Sequence, residues 1–187
     1  MAGVARRARR NMFIEIETLV FGVAIIVAAE MSHFTWWAAA ALVVHNVSAI
    51  VTATNTASPL LISALTISFV VSVTVPCLSA ARCALFQDTL TSIGVAEFAV
   101  GNFVLHYWPS LRLVHRFWTT SCFVARAPAR APEFGGIAAQ VLMLYCTIYN
   151  PSRVYGCPTE LSKGIFIAAG LAAAVAIELL VLHAVSR

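Results

Sequence analysis

Residues 58–84 read SPLLISALTISFVVSVTVPCLSAARCA, and Arg82 is the one charged side chain among them. A helix needs about 20 consecutive apolar residues to cross the hydrocarbon core of a bilayer, and this segment exceeds that length. Pro59 suits the first position of a helix, whereas Pro76 should kink it. The segment therefore predicts a kinked membrane-spanning helix.

The rest of the chain has the same character. Of its 187 residues, 60% are hydrophobic and 11% are charged, whereas soluble domains carry about 25% charged residues. We therefore predict an all-α, polytopic membrane protein with six transmembrane helices. These lie near 13–31, 34–54, 58–84, 96–118, 135–150 and 164–185. The prediction treats 1–187 as a single transmembrane domain, with a basic amino-terminal segment at 1–12 and a Pro/Arg-rich loop at 119–134.

The arginine distribution orients the predicted helices. Cytoplasmic ends of membrane helices are enriched in Lys and Arg. With six helices, this rule places most of the arginines on the same side of the membrane. These are Arg6, Arg7, Arg9, Arg10, Arg112, Arg116, Arg126, Arg130 and Arg187. Both termini are then predicted to lie on the cytoplasmic (or matrix) side. The net charge of +4 is explained by topology and does not indicate binding of nucleic acid.

Location follows from this composition. We expect an integral multi-pass protein of the endoplasmic reticulum or plasma membrane. The mitochondrial inner membrane is the alternative, because the basic amino terminus also fits a transit peptide. The five cysteines show no metal-ligand spacing, and their odd number and scattered positions predict unpaired thiols. No metal or cofactor site is predicted.

The fourth helix has two alternative registers. Hydropathy alone allows 91–108, ending before Pro109. The alternative, 96–118, keeps Pro109 inside the helix, which membrane helices tolerate when neighbours satisfy the freed carbonyl. It also places Trp118, Arg116 and His115 at the inner interface, where such residues are favoured. We therefore predict the second register, bent near Pro109.

Ionisable side chains inside a membrane are candidate functional groups. Five are predicted to be solvated near the helix ends, namely Glu15, Glu17, Glu30, His33 and Glu97. Two others lie deeper. His45 is predicted to be a hydrogen-bonded core histidine, and Glu178 is predicted to form an interhelical hydrogen bond.

Two stretches combine groups with catalytic potential. In residues 101–111, GNFVLHYWPSL, Asn102 precedes His106 by four residues, which predicts one shared helix face. Such a histidine acts as a general base or forms a structural hydrogen bond. In residues 32–40, SHFTWWAAA, Thr35 opens the second helix at the same end. Its hydroxyl is a nucleophile if a base removes its proton, or simply a first-turn capping group.

The order of these motifs resembles the androgen-induced, FAR-17a-like family of six-helix membrane proteins. That family has a Thr early in its second helix, as in Phe34-Thr35. It has a histidine in the fourth helix with Asn four residues before and a proline beyond, as in Asn102, His106 and Pro109. Before its last helix the family has aromatic residues and a glycine. The corresponding residues here are Tyr145, Tyr149, Tyr155, Gly156 and Pro158, and Cys157 stands where the family usually has Tyr.

This resemblance implies an intramembrane hydrolase of lipid esters, such as fatty acid esters of hydroxy fatty acids. Thr35 would be the nucleophile and His106 the base that takes its proton. Asn102 would donate to the developing oxyanion. Glu30 and Glu97 are the candidate acids for orienting His106, and the partner implied is a lipid substrate.

The sequence is also compatible with three other functions. The first is a non-catalytic subunit or scaffold with membrane-protein partners, in which Thr35 and His106 are dispensable. The second is a haem-binding electron carrier using His45 and His106, which must then face each other at one depth. The third is a proton-coupled carrier using Glu30, Glu97 and Glu178.

Overall fold

The computed structural model describes residues 2–52, 59–120 and 131–185, with side chains in 12–51, 60–118, 139–180 and 182–183. The described residues form helices and no strand, which confirms the predicted all-α class. The helices are α1 (Ala2–Ala28), α2 (Phe34–Thr52), α3 (Pro59–Ala80), α4 (Ala84–Ile93), α5 (Val95–Asn102), a π-helical turn (Phe103–Tyr107), α6 (Trp108–Thr120), α7 (Ala131–Ile148), α8 (Pro151–Tyr155) and α9 (Thr159–Val185).

Three helices are long and apolar enough to cross a membrane, which indicates a membrane-embedded protein. They contain the windows Phe34–Val51, Leu60–Ala80 and Thr159–Leu180. Helix α1 begins at Ala2, so it continues from the basic amino-terminal segment into the predicted span near 13–31. The short helices α4 and α8 are not predicted from the sequence. Of the predicted loop 119–134, residues 121–130 lie outside the described residues.

Helix α3 is the centre of the bundle. In its apolar window 72% of the residues are buried, against 22% for α9, and it packs on α2, α6, α7 and α9. Some of its hydroxyls bond to their own helix or to a neighbour, whereas the buried Thr74 hydroxyl has no hydrogen-bond partner among the described residues. The Thr66 hydroxyl, for example, donates to the Ile62 carbonyl at 2.8 Å. Hydroxyls that bond to their own helix can occupy an apolar interior without an unsatisfied donor.

Aromatic packing joins α2, α7, α8 and α9 at one end of the bundle. The rings of Phe34 and Tyr145 lie 4.9 Å apart, and both contact the ring of Phe166. Tyr155 packs against the same Phe166 ring. Offset and tilted aromatic pairs of this kind stabilise packing beyond their buried area. We call this end, which carries α4, α8 and residues 29–33, the α8 end.

A disulfide bond joins Cys83 and Cys157, whose Cα atoms are 4.9 Å apart. The prediction of unpaired thiols is therefore wrong for these two residues, while Cys77 and Cys146 are free. The sequence does not reveal the pair because 74 positions separate its members. They meet because α3 ends, and α9 begins, at the α8 end. Next to the bond, Gly156 has φ +65° and its Cβ position lies 2.7 Å from the Ala84 Cβ, so a side chain is excluded there.

We expect reduction to release two additional thiols from each denatured chain. The measurement is mass spectrometry of maleimide-labelled protein, denatured with and without prior reduction. The Cys83→Ser/Cys157→Ser double variant is the control and should show no change on reduction. Equal labelling of the wild type under both conditions would contradict the disulfide.

At the opposite end of the bundle, two ion pairs connect α1 to α6. Glu15 pairs with Arg116, and its other carboxylate oxygen lies 3.3 Å from His45 Nε2. Glu17 pairs with Arg112 in a more exposed position. The predicted interfacial solvation of Glu15 is wrong, since only 4% of the residue is exposed. It is buried because α1 packs between α2 and α6 at this depth. We call this end the Arg116 end.

Candidate active site at the α8 end

Thr35 lies in the first turn of α2, and two tyrosine hydroxyls hold the backbone just before it. The Phe34 N–H donates to the Tyr155 hydroxyl at 3.0 Å. The Tyr145 hydroxyl donates to the Ser32 carbonyl at 2.7 Å. Both tyrosines are buried, so the start of α2 is attached to α7 and α8 through groups shielded from competing water.

His106 lies in the π-helical turn that connects α5 to α6. In this turn the Trp108 N–H donates to the Phe103 carbonyl, five residues back. Pro109 explains the widening, because proline lacks an N–H and its ring collides with the carbonyl four residues earlier in a regular α-helix. The predicted continuous register across 96–118 is confirmed, since helix extends from Val95 to Thr120. Single π-helical turns are often found at functional sites.

Serines of α3 and α6 satisfy the backbone at the turn. The Ser72 hydroxyl lies 2.7 Å from the His106 carbonyl and 2.8 Å from the Ser110 hydroxyl. Ser72 and Ser110 are both buried. Because the carbonyl of His106 is held from the side, the turn has a defined position relative to α3.

The structure brings the two predicted catalytic residues together. Thr35 Oγ1 lies 3.4 Å from His106 Nδ1, although the residues are 71 positions apart. For Nδ1 to accept the hydroxyl proton, the ring proton must reside on Nε2. A distance at the long end of hydrogen bonding is common in unliganded sites and shortens when substrate binds. The arrangement is therefore suited to activating the Thr35 hydroxyl.

A small cavity lies beside the pair. Its volume is about 10 Å³, and its walls come from α1, α2, α3 and the turn at His106. This is near the smallest space that holds one water molecule. Leu105 lines the cavity and is 42% exposed on the outer surface of the bundle. The Leu105 side chain therefore lies between the space beside the pair and the outside of the bundle.

Asn102 does not share this cavity. It lines a separate recess of about 340 Å³ with Ser79 and Tyr107. Asn102 and His106 therefore line different spaces, and the predicted role of Asn102 as oxyanion donor stays a prediction.

The acids proposed as orienting groups lie elsewhere. Glu30 accepts a hydrogen bond from the Ser32 hydroxyl at 3.2 Å, and Glu97 is an exposed residue beside Gly94. Among the described side chains, no carboxylate lies within ion-pair distance of the His106 ring. The described residues therefore present a Thr–His dyad, with the histidine positioned through its backbone.

His45 lies about 15 Å along α2 from Thr35, since each helical residue rises about 1.5 Å. His106 is next to Thr35, so the two imidazoles cannot ligate one haem iron. The proton-carrier hypothesis is not supported by a shared buried site, because all three acids are exposed: Glu30 lies between α1 and α2, Glu97 on α5 and Glu178 on α9.

Ser68, to which the sequence assigns no role, lines the cavity together with Thr35 and His106. Ser68 is buried, with 3% of its surface exposed. It precedes Ser72 by one helical turn on the same apolar helix. That four-residue serine spacing is the sequence signal for a polar stripe on one face of α3.

We expect Ser72→Ala to lower the activity that depends on His106 by roughly fivefold, since one lost hydrogen bond is worth about 1 kcal/mol. The physical reason is loss of the donor that holds the His106 carbonyl. The measurement is steady-state hydrolysis by purified protein. Ser79→Ala, farther along α3, is the matched control. Equal losses in both variants would contradict the positioning role of Ser72.

No family model, no curated protein and no solved structure matches this chain in sequence or fold.

Proposed function

We propose that the protein is an intramembrane hydrolase of lipid esters that uses Thr35 as nucleophile and His106 as base. The observation that carries this proposal is the 3.4 Å approach of Thr35 Oγ1 to His106 Nδ1. A hydroxyl paired with an imidazole is the minimal arrangement for nucleophilic catalysis. The resemblance to the androgen-induced, FAR-17a-like family supports the same residues in the same roles.

In the proposed acylation, His106 Nδ1 removes the Thr35 hydroxyl proton as Oγ1 attacks the ester carbonyl carbon. The tetrahedral intermediate then collapses, the ester C–O bond breaks, and the protonated His106 gives its proton to the leaving alcohol. The acyl group remains on Thr35 Oγ1. Ser68, the other hydroxyl in the cavity wall, is the proposed donor to the oxyanion.

Deacylation requires water next to His106. The cavity beside the pair has room for about one molecule. His106 removes a proton from this water as it attacks the acyl carbonyl, and the proton then returns to Thr35 Oγ1. The products are a free fatty acid and the regenerated hydroxyl. The acyl chain of a lipid ester reaches the site from the bilayer, on the side where Leu105 is exposed.

We further propose six transmembrane helices, formed by α1, α2, α3, the continuous helix from α5 to α6, α7 and α9. Both termini then lie in the cytosol, at the Arg116 end. The Cys83–Cys157 bond supports this orientation, because disulfides persist in oxidising compartments and this one lies at the α8 end. The site then lies in the half of the bilayer facing the ER lumen or the cell exterior.

The test of the activity is labelling of purified protein with a fluorescent fluorophosphonate. An activated hydroxyl attacks phosphorus and displaces fluoride, which leaves a stable covalent adduct. We expect labelling of the wild type at Thr35 and none of Thr35→Ala. Thr66→Ala, whose hydroxyl bonds to its own helix, should label normally. Absence of wild-type labelling, together with no hydrolysis of any long-chain ester, would refute the proposal.

The alternative of a non-catalytic subunit is favoured by one observation. Helix α9 has an exposed face that includes Glu178, an acidic residue within an apolar helix. Such a residue requires a polar partner in lipid. The labelling experiment separates the alternatives, because a subunit without catalytic function has no activated hydroxyl.

A further inference from the structure

The short helix α8 is attached to the end of α3 by a covalent bond and a backbone hydrogen bond. Cys83, just after α3, is bonded to Cys157, just after α8. Beside this bond the Ala84 N–H donates to the Gly156 carbonyl at 3.3 Å. Helix α8 has five residues, and helices this short are not stable by themselves in water. Its position therefore depends on these two bonds and on the side chains that pack against it.

Tyr155, the last residue of α8, connects this helix to the start of α2. Its ring is buried and stacks on the ring of Phe86 of α4, with 6.0 Å between the centroids. Its hydroxyl accepts a hydrogen bond from the Phe34 N–H at 3.0 Å. The first N–H groups of a helix have no partner within that helix, so Tyr155 supplies an acceptor that α2 itself lacks. Because Phe34 is also buried, loss of the hydroxyl would leave its N–H unsatisfied.

Thr35 follows Phe34 directly, so this contact also affects the dyad. Thr35 Oγ1 lies 3.4 Å from His106 Nδ1, at the long end of hydrogen bonding. A small displacement of the first turn of α2 would therefore separate the two atoms. His106 is held by a different contact, from Ser72 of α3 to its carbonyl. Helix α3 thus holds His106 directly. It holds Thr35 through the disulfide and Tyr155.

We propose that the disulfide, acting through Tyr155, positions Thr35 against His106. The dyad is then assembled only after the Cys83–Cys157 bond has formed. Bond formation removes two electrons and two protons from the two thiols, and a disulfide of an oxidising partner takes them up and becomes two thiols. The reduced, newly made protein is accordingly inactive and gains activity in an oxidising compartment. The inference rests on the proposed hydrolase function and adds the condition under which that site is active.

A second contact at the start of α2 makes the expected effect partial. The Tyr145 hydroxyl of α7 donates to the Ser32 carbonyl at 2.7 Å, without involving α8. Loss of the disulfide or of the Tyr155 hydroxyl should therefore loosen the first turn of α2 and leave the helix in place. The cavity walls from α1, α2, α3 and the His106 turn remain. We expect kcat to fall and KM to change little, because the lost alignment matters in the transition state.

The test compares three variants of the full chain, namely Tyr155→Phe, Cys83→Ser/Cys157→Ser and their combination. The measurements are kcat and KM for hydrolysis of a long-chain ester, and hydrogen–deuterium exchange at the Phe34 amide. Tyr155→Phe should lower kcat about fivefold, the effect of one lost hydrogen bond. The serine variant should lose at least as much. The combined variant should lose no more than the serine variant, because both changes break one link.

The Phe34 amide should exchange faster in all three variants than in the wild type. Tyr149→Phe is the matched control, since Tyr149 belongs to the same aromatic packing through its ring contacts with Trp37 and Tyr145. It should keep the wild-type kcat and the wild-type exchange. Circular dichroism of each variant establishes that its helices are intact. If the serine variant does not fold, Tyr155→Phe alone decides the outcome.

An active wild type whose kcat and Phe34 exchange are both unchanged in Tyr155→Phe would overturn the inference and leave the hydrolase function in place. Additive losses in the combined variant would also overturn it, since the disulfide and Tyr155 would then act separately. A wild type that hydrolyses no ester gives a different result. With faster Phe34 exchange in the variants, it would refute the hydrolase and still support the link from the disulfide to the start of α2.

Discussion

Replacing Thr35 or His106 with alanine should lower lipid-ester hydrolysis at least about 1,000-fold, and replacing both should cost no more than either alone. A nucleophile and its base act as one unit, so removing either removes nearly the whole effect. The structural basis is the direct approach of Thr35 Oγ1 to His106 Nδ1. This is the largest effect on activity that we expect from any single substitution.

The measurement is kcat/KM for purified protein in detergent or vesicles, with a long-chain ester of a hydroxy fatty acid as substrate. Thr66→Ala and His115→Ala are matched controls, because Thr66 bonds within α3 and His115 is exposed. Both should retain wild-type rates. Additive losses in the double variant would mean that the two residues act independently. Single variants with most of the activity would refute the dyad.

The second large effect concerns stability and lies at the Arg116 end. Glu15→Ala should destabilise the protein by about 3–5 kcal/mol, because it leaves a buried guanidinium without its carboxylate. Only 2% of the Arg116 side chain and 5% of the Glu15 side chain are exposed. His45 Nε2 would lose the same carboxylate. We expect a fall of roughly 10 °C in melting temperature for a chain of this size.

The chain supplies its own control for this prediction. Glu17 and Arg112 connect the same two helices, but 42% and 25% of their side chains are exposed. Exposed ion pairs are worth about 0–1 kcal/mol, so Glu17→Ala should change the melting temperature little. Removing both buried charges, as in Glu15→Leu/Arg116→Met, should cost less than Glu15→Ala alone. Similar melting temperatures for Glu15→Ala and Glu17→Ala would contradict the interpretation.

The helical segments could be predicted from the sequence because hydropathy is a local property. Runs of about 20 apolar residues locate membrane helices without knowledge of their neighbours. The choice of register for the fourth helix also succeeded on local evidence. Placing Arg116 and Trp118 at one helix end required Pro109 to lie inside the helix, and helix does extend from Val95 to Thr120.

The candidate site was predictable only in part. The order and spacing of motifs selected Thr35 and His106 and put both toward one end of the bundle. Asn102 lines a separate recess, so its assignment as oxyanion donor stays a prediction. The four-residue spacing of Ser68 and Ser72 indicates a polar stripe on α3, but which side chains that stripe meets depends on tertiary packing, so the place of Ser68 in the cavity wall could not be predicted.

Hydropathy and residue order are enough to establish the all-α membrane class, the approximate helix bounds and the polar residues available for chemistry. Tertiary structure decided which of those residues meet. Thr35 and His106 are 71 positions apart and Cys83 and Cys157 are 74 apart, and Glu15 is buried only because Arg116 and His45 converge on it. The physical reason is that hydropathy acts along the chain, whereas a hydrogen bond, a disulfide or a buried ion pair requires two side chains within a few ångströms. That distance depends on how the helices pack, which no local pattern specifies.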